Sequence, residues 1–383
     1  MAEAFSRALG RRVTTSDLGL RPGIPARRTS ERHPWSEHTA ANALLDATRS
    51  AHGLYRTAAL AVPAWPDISF RREDRNATSD VSARIDVRSA AAMLRVFSDA
   101  DMMFGGGHAR HALAGYLRTT TVPWLAGDGR PAERRELLTT AARLSYLCGF
   151  MCFDDELHGM AQHYYLASLR LAAEGGDPIG YALTLRALSV QARPLGHHRR
   201  AVDLAETAVR TATPRATPRV RAFLLGQLAV AHAADGNRHD ALAALAAAER
   251  HLTRAGRHTP GIAAYHAGSL AHQQAATTAC LGDRRIAIKA LETSLRHRPA
   301  EERRSRAITL ARLAELQLTD GRLEQACHTW HRFLDDYPNL RSRRADTALR
   351  TLRARTCPNQ NHPAVRGLLR RATAAERLTE TEI

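Results

Sequence analysis

Cys148 and Cys152 stand four residues apart on a stretch that reads as helix, so both thiols share one face, and His158 and His163 follow within reach. That spacing suits a pair of metal ligands. Cys148 also falls on the apolar stripe of its helix, where a free cysteine packs well. Packing is the preferred reading, and neither a metal nor a cofactor is expected. The paired carboxylates Asp154-Asp155 and Asp335-Asp336 lie at a turn and near a helix end, where solvated carboxylates are ordinary. His197-His198 falls in a turn between helices. Gly105, Gly106 and Gly107 suggest a phosphate cradle, but no strand precedes them and neither GKS nor GKT follows. They read as a flexible turn between two helices. Neither GxSxG nor HExxH occurs, and an enzyme is not expected.

The chemistry that remains is binding by aromatic rings and arginines, and it depends on the elements that carry them. Gly196, Gly236, Gly282 and Gly321 lie 40, 46 and 39 residues apart, each followed five residues later by Ala201, Ala241, Ala287 or Ala326. Seven residues before each glycine stands a small residue, Ser189, Ala229, Ala275 or Ala314. Glycine supplies the turn backbone, and small residues on either side let two helices approach closely. Leu185, Leu188 and Ser189, and their counterparts in later units, give the i, i+3, i+4 spacing of one helical stripe. Such a unit cannot bury its apolar face alone and must stack on copies of itself. Gly149, Glu156 and Ala161 continue the register backwards, and a weaker unit runs from Val87 to Trp124 with its turn at Gly107. The expected fold is all-α, an α-α superhelix of about six helix pairs. Its turns fall at Gly107, Glu156, Gly196, Gly236, Gly282 and Gly321.

In stacked pairs the first helix lines the inner surface. Positions 13, 10, 6 and 3 before each turn then face inward: Leu183, Arg186, Val190 and Arg193 in one unit, and Arg143, Tyr146, Phe150 and Phe153 in the unit before it. Phe223, Val230, His272 and Glu315 follow in later units, with Phe97 and Phe104 upstream. The candidate ligand groove is therefore Tyr146, Phe150, Phe153, Arg186, Arg193 and Phe223, apolar and cationic. The alternative is that these aromatics fill the space between neighbouring units.

The blocks LGDRRIAIKALETSLRHRP and TDGRLEQACHTWHRFLDDYP, with Pro299 and Pro338 each 17 residues past their glycine, resemble the second half of tetratricopeptide repeats. The opening AEAFSRALGRRVTTSDLGL resembles the closing segment of XRE-type helix-turn-helix domains of actinobacterial regulators. The stretches TAANALLDATRSAHGLYRTAALAVPAW and FGGGHARHALAGYLRTTTVPWL resemble the central region of the same regulators. The division this implies is 1–20 as a helix-turn-helix remnant, 21–38 as linker and 39–124 as a helical N-terminal part. Residues 125–356 would then be tetratricopeptide-like repeats, and 357–383 a C-terminal helix and tail. In that family about 50 residues carrying the recognition helix precede such a segment. Either the start lies upstream of Met1 or the DNA reader has been lost; residues 1–20 read without the resemblance are an amphipathic helix. The resemblance implies a transcriptional regulator whose solenoid binds a peptide, a protein or a small acidic-apolar ligand. It would touch DNA only through an upstream helix-turn-helix, and a homodimer is open. The alternative is a protein–protein adaptor with no DNA role.

Composition sets the remaining limits. Of 55 basic residues only Lys289 is lysine, against 38 acidic ones, a formal charge of +17. Arginines scattered over solvated faces are the preferred reading of that excess; an electrostatic surface for nucleic acid or another anion is the other. The local clusters are Arg303, Arg304 and Arg306, and Arg341, Arg343 and Arg344. AALAVPAW, the longest apolar run near the N-terminus, is too short to span a bilayer, and no membrane association is expected. Five cysteines without paired spacing fit a reducing compartment, and a cytoplasmic protein is expected.

Overall fold

The computed structural model describes residues 39–49, 53–65, 87–127, 130–256 and 265–380. The expected helix-turn-helix remnant over 1–20 and the linker over 21–38 lie outside them. Among the described residues every regular element is helical. Ahead of the array come α1 (Ala40–Arg49), α2 (Val87–Phe104) and α3 (Gly106–Tyr116), the last continuing through a π turn, Leu117–Thr121, into α4 (Val122–Ala126). Six antiparallel pairs follow: α5 (Pro131–Asp154) with α6 (His158–Glu174), α7 (Pro178–Ala192) with α8 (His198–Ala212), and α9 (Pro218–Ala234) with α10 (Arg238–Arg254). Then come α11 (Ala267–Cys280) with α12 (Arg284–His297), α13 (Arg303–Thr319) with α14 (Leu323–Asp336), and α15 (Arg343–Thr356) with α16 (Pro363–Glu380). Successive pairs stack on one another as an all-α superhelical solenoid.

The turns share one backbone device. Glu156, Gly196, Gly236, Gly282 and Gly321 have φ of 57°, 82°, 85°, 86° and 79°. After each of the five, the next N–H returns to the carbonyl five residues back, as in Leu157 to Cys152 at 2.8 Å and Asp283 to Thr278 at 2.8 Å. This closure satisfies the carbonyls that a helix leaves open at its C-terminus. Gly176 (φ 66°) repeats it between α6 and α7, at a site where no turn is expected from the repeat register. The upstream turn differs from expectation. Gly105, not Gly107, takes the left-handed backbone (φ 88°), because α3 already begins at Gly106.

Small residues bring the two helices of a pair together. Ser189, Ala229, Ala275 and Ala314 on the first helices and Ala161, Ala201, Ala241, Ala287 and Ala326 on the second are all buried. A Cβ on Gly149 would stand 2.8 Å from the Tyr165 ring. The Ser189 hydroxyl donates to the Ala201 carbonyl at 2.7 Å, so the polar small residue is satisfied as well. First and second helices differ in how much they bury. α7 packs Tyr181, Ala182, Leu185, Ala187 and Leu188 around most of its circumference, whereas α8 buries one stripe, Ala201, Val202, Leu204, Ala205 and Ala208. A helix flanked on both sides needs apolar residues all round, and an outer helix needs only a stripe.

The segment 53–65 lies along α6 and α7. Gln162 exchanges two hydrogen bonds of 2.8 Å with the backbone of Arg56, and the Tyr181 hydroxyl donates to the Pro63 carbonyl at 2.7 Å.

Candidate functional site

The two ends of the array meet. Arg304, on α13, donates to Asp101 Oδ2 at 2.9 Å across 203 residues of sequence and lies 3.8 Å from Asp154 Oδ1. Arg344, on α15, approaches the same Asp154 oxygen at 3.6 Å. The Arg341 N–H donates to the Phe104 carbonyl at 2.7 Å, and its own carbonyl accepts from the Gly107 N–H at 2.9 Å. Thr347 donates to Glu156 at 2.8 Å, which gives the one non-glycine with a left-handed backbone among the described residues a second role. One circuit of the superhelix is thus closed by a seam between α2, α3 and the end of α5 on one side and α13 and α15 on the other.

The seam corrects two readings of the sequence. Asp154 and Asp155 are buried, not solvated: Asp154 faces Arg304 and Arg344, and Asp155 pairs with Arg110 at 2.9 Å. Asp336 is buried too, held by Arg306 and Arg303, while Asp335 stays exposed beside Arg371. The glycine triplet does join two helices, α2 and α3, but it is closely packed. A Cβ on Gly105 would stand 2.6 Å from the Arg341 carbonyl oxygen, and one on Gly106 the same distance from that of Met151. These glycines let the seam close.

The lumen is the inner face of the closed circuit, where Phe150, Arg186, Arg193 and Phe223 keep part of their surface exposed, and the expected groove residues divide into two groups along it. Arg186 lies 3.6 Å above the Phe223 ring, a stacked cation–π pair, with the Tyr146 hydroxyl beside it. Phe223 in turn packs on Tyr265, with ring centroids 5.1 Å apart. In the second group Phe150 and Phe153 are neighbours at 6.3 Å, the first under Arg304 at 4.7 Å and the second under Arg344 at 5.2 Å. Arg193 stands apart from both groups, beside the Cys280 thiol and Arg312. Tyr146 and Phe153 are buried and the other four half-buried, so the first two pack the wall as well as line it. Val230 is buried in the helix packing, Arg143 is exposed, and Phe97 is buried against Tyr116 at 6.1 Å; none of these three lines the lumen.

Charge dominates this space. Burial lowers the pKa of His272 to about 3, with Arg298, Arg312, Arg344 and Arg193 adding to the effect from four different segments. Its ring is therefore neutral and shares a 3.1 Å hydrogen bond with Thr309. Burial lifts Asp101 to about 6 against the opposing pull of Arg304, and the nearby Asp154 charge adds to the rise. Glu302 goes the other way: burial opposes its charge, but hydrogen bonds from His266 and Arg298 hold it below the ordinary carboxylate range. Arg298, Arg304, Arg312 and Arg344 each have a carboxylate partner. Arg186 and Arg193 have none among the described residues, and the Nε of Arg186 is buried without a hydrogen-bond acceptor. Burial lowers the pKa of both, yet a guanidinium stays charged.

The inner-face positions read from the sequence miss Tyr265 and Arg304. Both stand 17 residues before their glycine, one helical turn beyond the row that stops at 13. Extending that row would have found them. The sequence shows Arg344 only as one of a local arginine cluster and does not mark Asp101; the places of both depend on closure of the circuit.

Cys148 and Cys152 are both buried, and burial with the neighbouring Cys152 pushes the Cys148 thiol well up, as in a packed core. Among the described residues no group of three His, Cys, Asp or Glu side chains could hold a metal ion, and no helix is long and apolar enough to cross a membrane. No protein-family model matches the chain and no curated protein matches it, so the lumen itself carries the functional reading.

Proposed function

We propose that this chain is the ligand-reading part of a regulatory protein, with the lumen of the solenoid as the binding site. One observation carries the reading: Arg186 and Arg193 enter the lumen with no carboxylate partner, while the other arginines around it are paired. A charged group taken out of water without a counter-ion is costly, and proteins retain such groups where a ligand completes the pair. Aromatic rings beside the two cations supply broad apolar contact at low entropic cost. A ligand that carries acidic groups on an apolar body fits both features.

Regulation follows from the seam. A ligand that favours the closed circuit over an opened one shifts the balance between the two by its difference in affinity. That change would pass to a DNA-binding partner or an attached helix-turn-helix, as the resemblance to XRE-type regulators implies. Replacing both Arg186 and Arg193 by Ala is expected to abolish regulation of a reporter in cells and to leave the melting curve nearly unchanged. Intact regulation in the double variant would remove the lumen from the mechanism.

A further inference from the structure

We infer that the lumen takes a small organic dianion, two anionic groups joined by an apolar chain and held one each by Arg186 and Arg193. The inference rests on the lumen as the ligand site and adds what the ligand must be.

Arg186 and Arg193 are seven residues apart on one face of α7, and Arg193 keeps the helical backbone as its C-cap (φ −61°, ψ −56°). Seven residues make two turns, so their backbone attachments are about 10 Å apart along the helix. Val190, half-buried, lies on that face between them. One wall of the lumen therefore reads cation, apolar, cation. Pairing leaves two charges over: Arg298 is met by Glu302, Arg304 by Asp101 and Asp154, Arg344 by Asp154 and Arg312 by Glu315. A monoanion would satisfy one of the two free guanidinium groups and leave the other. His272 adds no third cation, because burial, reinforced by the arginines around it, keeps it neutral.

The occupant is small because the circuit is closed. The seam joins α2, α3 and α5 to α13 and α15, and the Arg304–Phe150 and Arg344–Phe153 stacks add to it on its inner side. Entry through the seam would break the buried Asp101–Arg304 pair, whereas a flexible chain with an anion at each end can lie along α7.

Calorimetric titration of the full chain with decanedioate, decanoate, inorganic phosphate and a short acidic peptide tests this at near-physiological salt. Decanedioate is expected to bind about tenfold tighter than decanoate, the worth of one further charge-assisted pair. Arg186→Gln and Arg193→Gln should each bring the two affinities together. Val190→Glu, which places a carboxylate between the arginines, should suppress decanedioate binding without loss of thermal stability, so the result does not depend on the arginine variants folding well. Equal affinities for decanedioate and decanoate in the unaltered chain would overturn the dianion. Binding of the peptide alone, lost in Arg186→Gln, would also overturn it and leave the lumen as the site. If no probe's binding depends on Arg186 or Arg193, the lumen reading falls as well.

Discussion

The turn glycines of the array and the glycines of the seam do different work. At Gly236, Gly282 and Gly321 an added Cβ would meet nothing within 4 Å, yet all three have φ near +80°. They are glycine for the sake of the backbone conformation. Gly106 is the reverse: it has no left-handed backbone, but a Cβ there would stand 2.6 Å from the Met151 carbonyl oxygen and 2.8 Å from its Cα. It is glycine for the sake of space. The arginines divide in the same way. Arg199, on the outer helix α8, is 78 % exposed and reaches Asp203 and Asp235 only at 3.7 Å, while the Arg304 side chain at the seam is 7 % exposed between two buried aspartates. The array is built from local, repeated, solvent-tolerant parts. The seam is built once, from buried charge and tight backbone contact.

The largest expected effect is at Arg304. Replacing it by Met leaves Asp101 and Asp154 buried without their shared cation, a loss of about 3–5 kcal/mol. Arg199→Met removes an exposed pair and should cost less than about 1 kcal/mol. Denaturant melts of the two variants give the contrast directly; similar losses would mean that the seam is no more committed than the surface.

Acidity sharpens the same contrast. Asp101 moves from 3.8 to about 6, so between those values the folded chain holds a proton that the unfolded chain has released. Its contribution is present below pH 4 and is lost as the pH rises through 6. Two units correspond to up to about 3 kcal/mol. Asp101→Asn does not titrate, so wild type should lose stability relative to it from pH 4 to pH 6.5. His272 acts in the opposite sense over an overlapping range, its stabilisation being lost as the pH falls below 6.5, but it is common to both proteins and drops out of the difference. A difference that stays flat with pH would mean that Asp101 does not sit buried beside Asp154.

Gly106→Ala comes next. The atoms it would strike are backbone and cannot swing aside, and its own N–H is held by Asp154 at 3.0 Å. Overpacking of this kind costs roughly 1–3 kcal/mol, and the upper end is expected here. A thermal melt equal to that of wild type would show that α3 can move away from α5 freely.

The array was legible because its causes are local. A glycine in the left-handed region and small residues at fixed offsets leave marks a few residues long, and Glu156 could be placed by its spacing even without being glycine. Neighbouring units are also legible, since Arg186 and Phe223 occupy inner positions of successive first helices and meet at 3.6 Å. The seam left no such mark. Asp101 finds Arg304 across 203 residues only because the superhelix completes its circuit, and that depends on a small rotation repeated from unit to unit. For the same reason Asp154, read locally as a residue at a helix end, turns out to be buried.

The smallest expected effect belongs to the array glycines, and it decides between the two kinds. Gly236→Ala puts an L-residue at φ 85° in open space, so only the conformational cost applies, about 1–2 kcal/mol. Asparagine tolerates the left-handed region better than alanine, so Gly236→Asn should recover part of that loss. At Gly106 the order must invert, because a larger side chain meets the same Met151 backbone whatever its backbone preference. Four melting curves, Ala and Asn at each position, carry the test: Asn above Ala at 236 and below it at 106. The same ranking at both sites would mean that one cause governs all these glycines, and the distinction between array and seam would collapse.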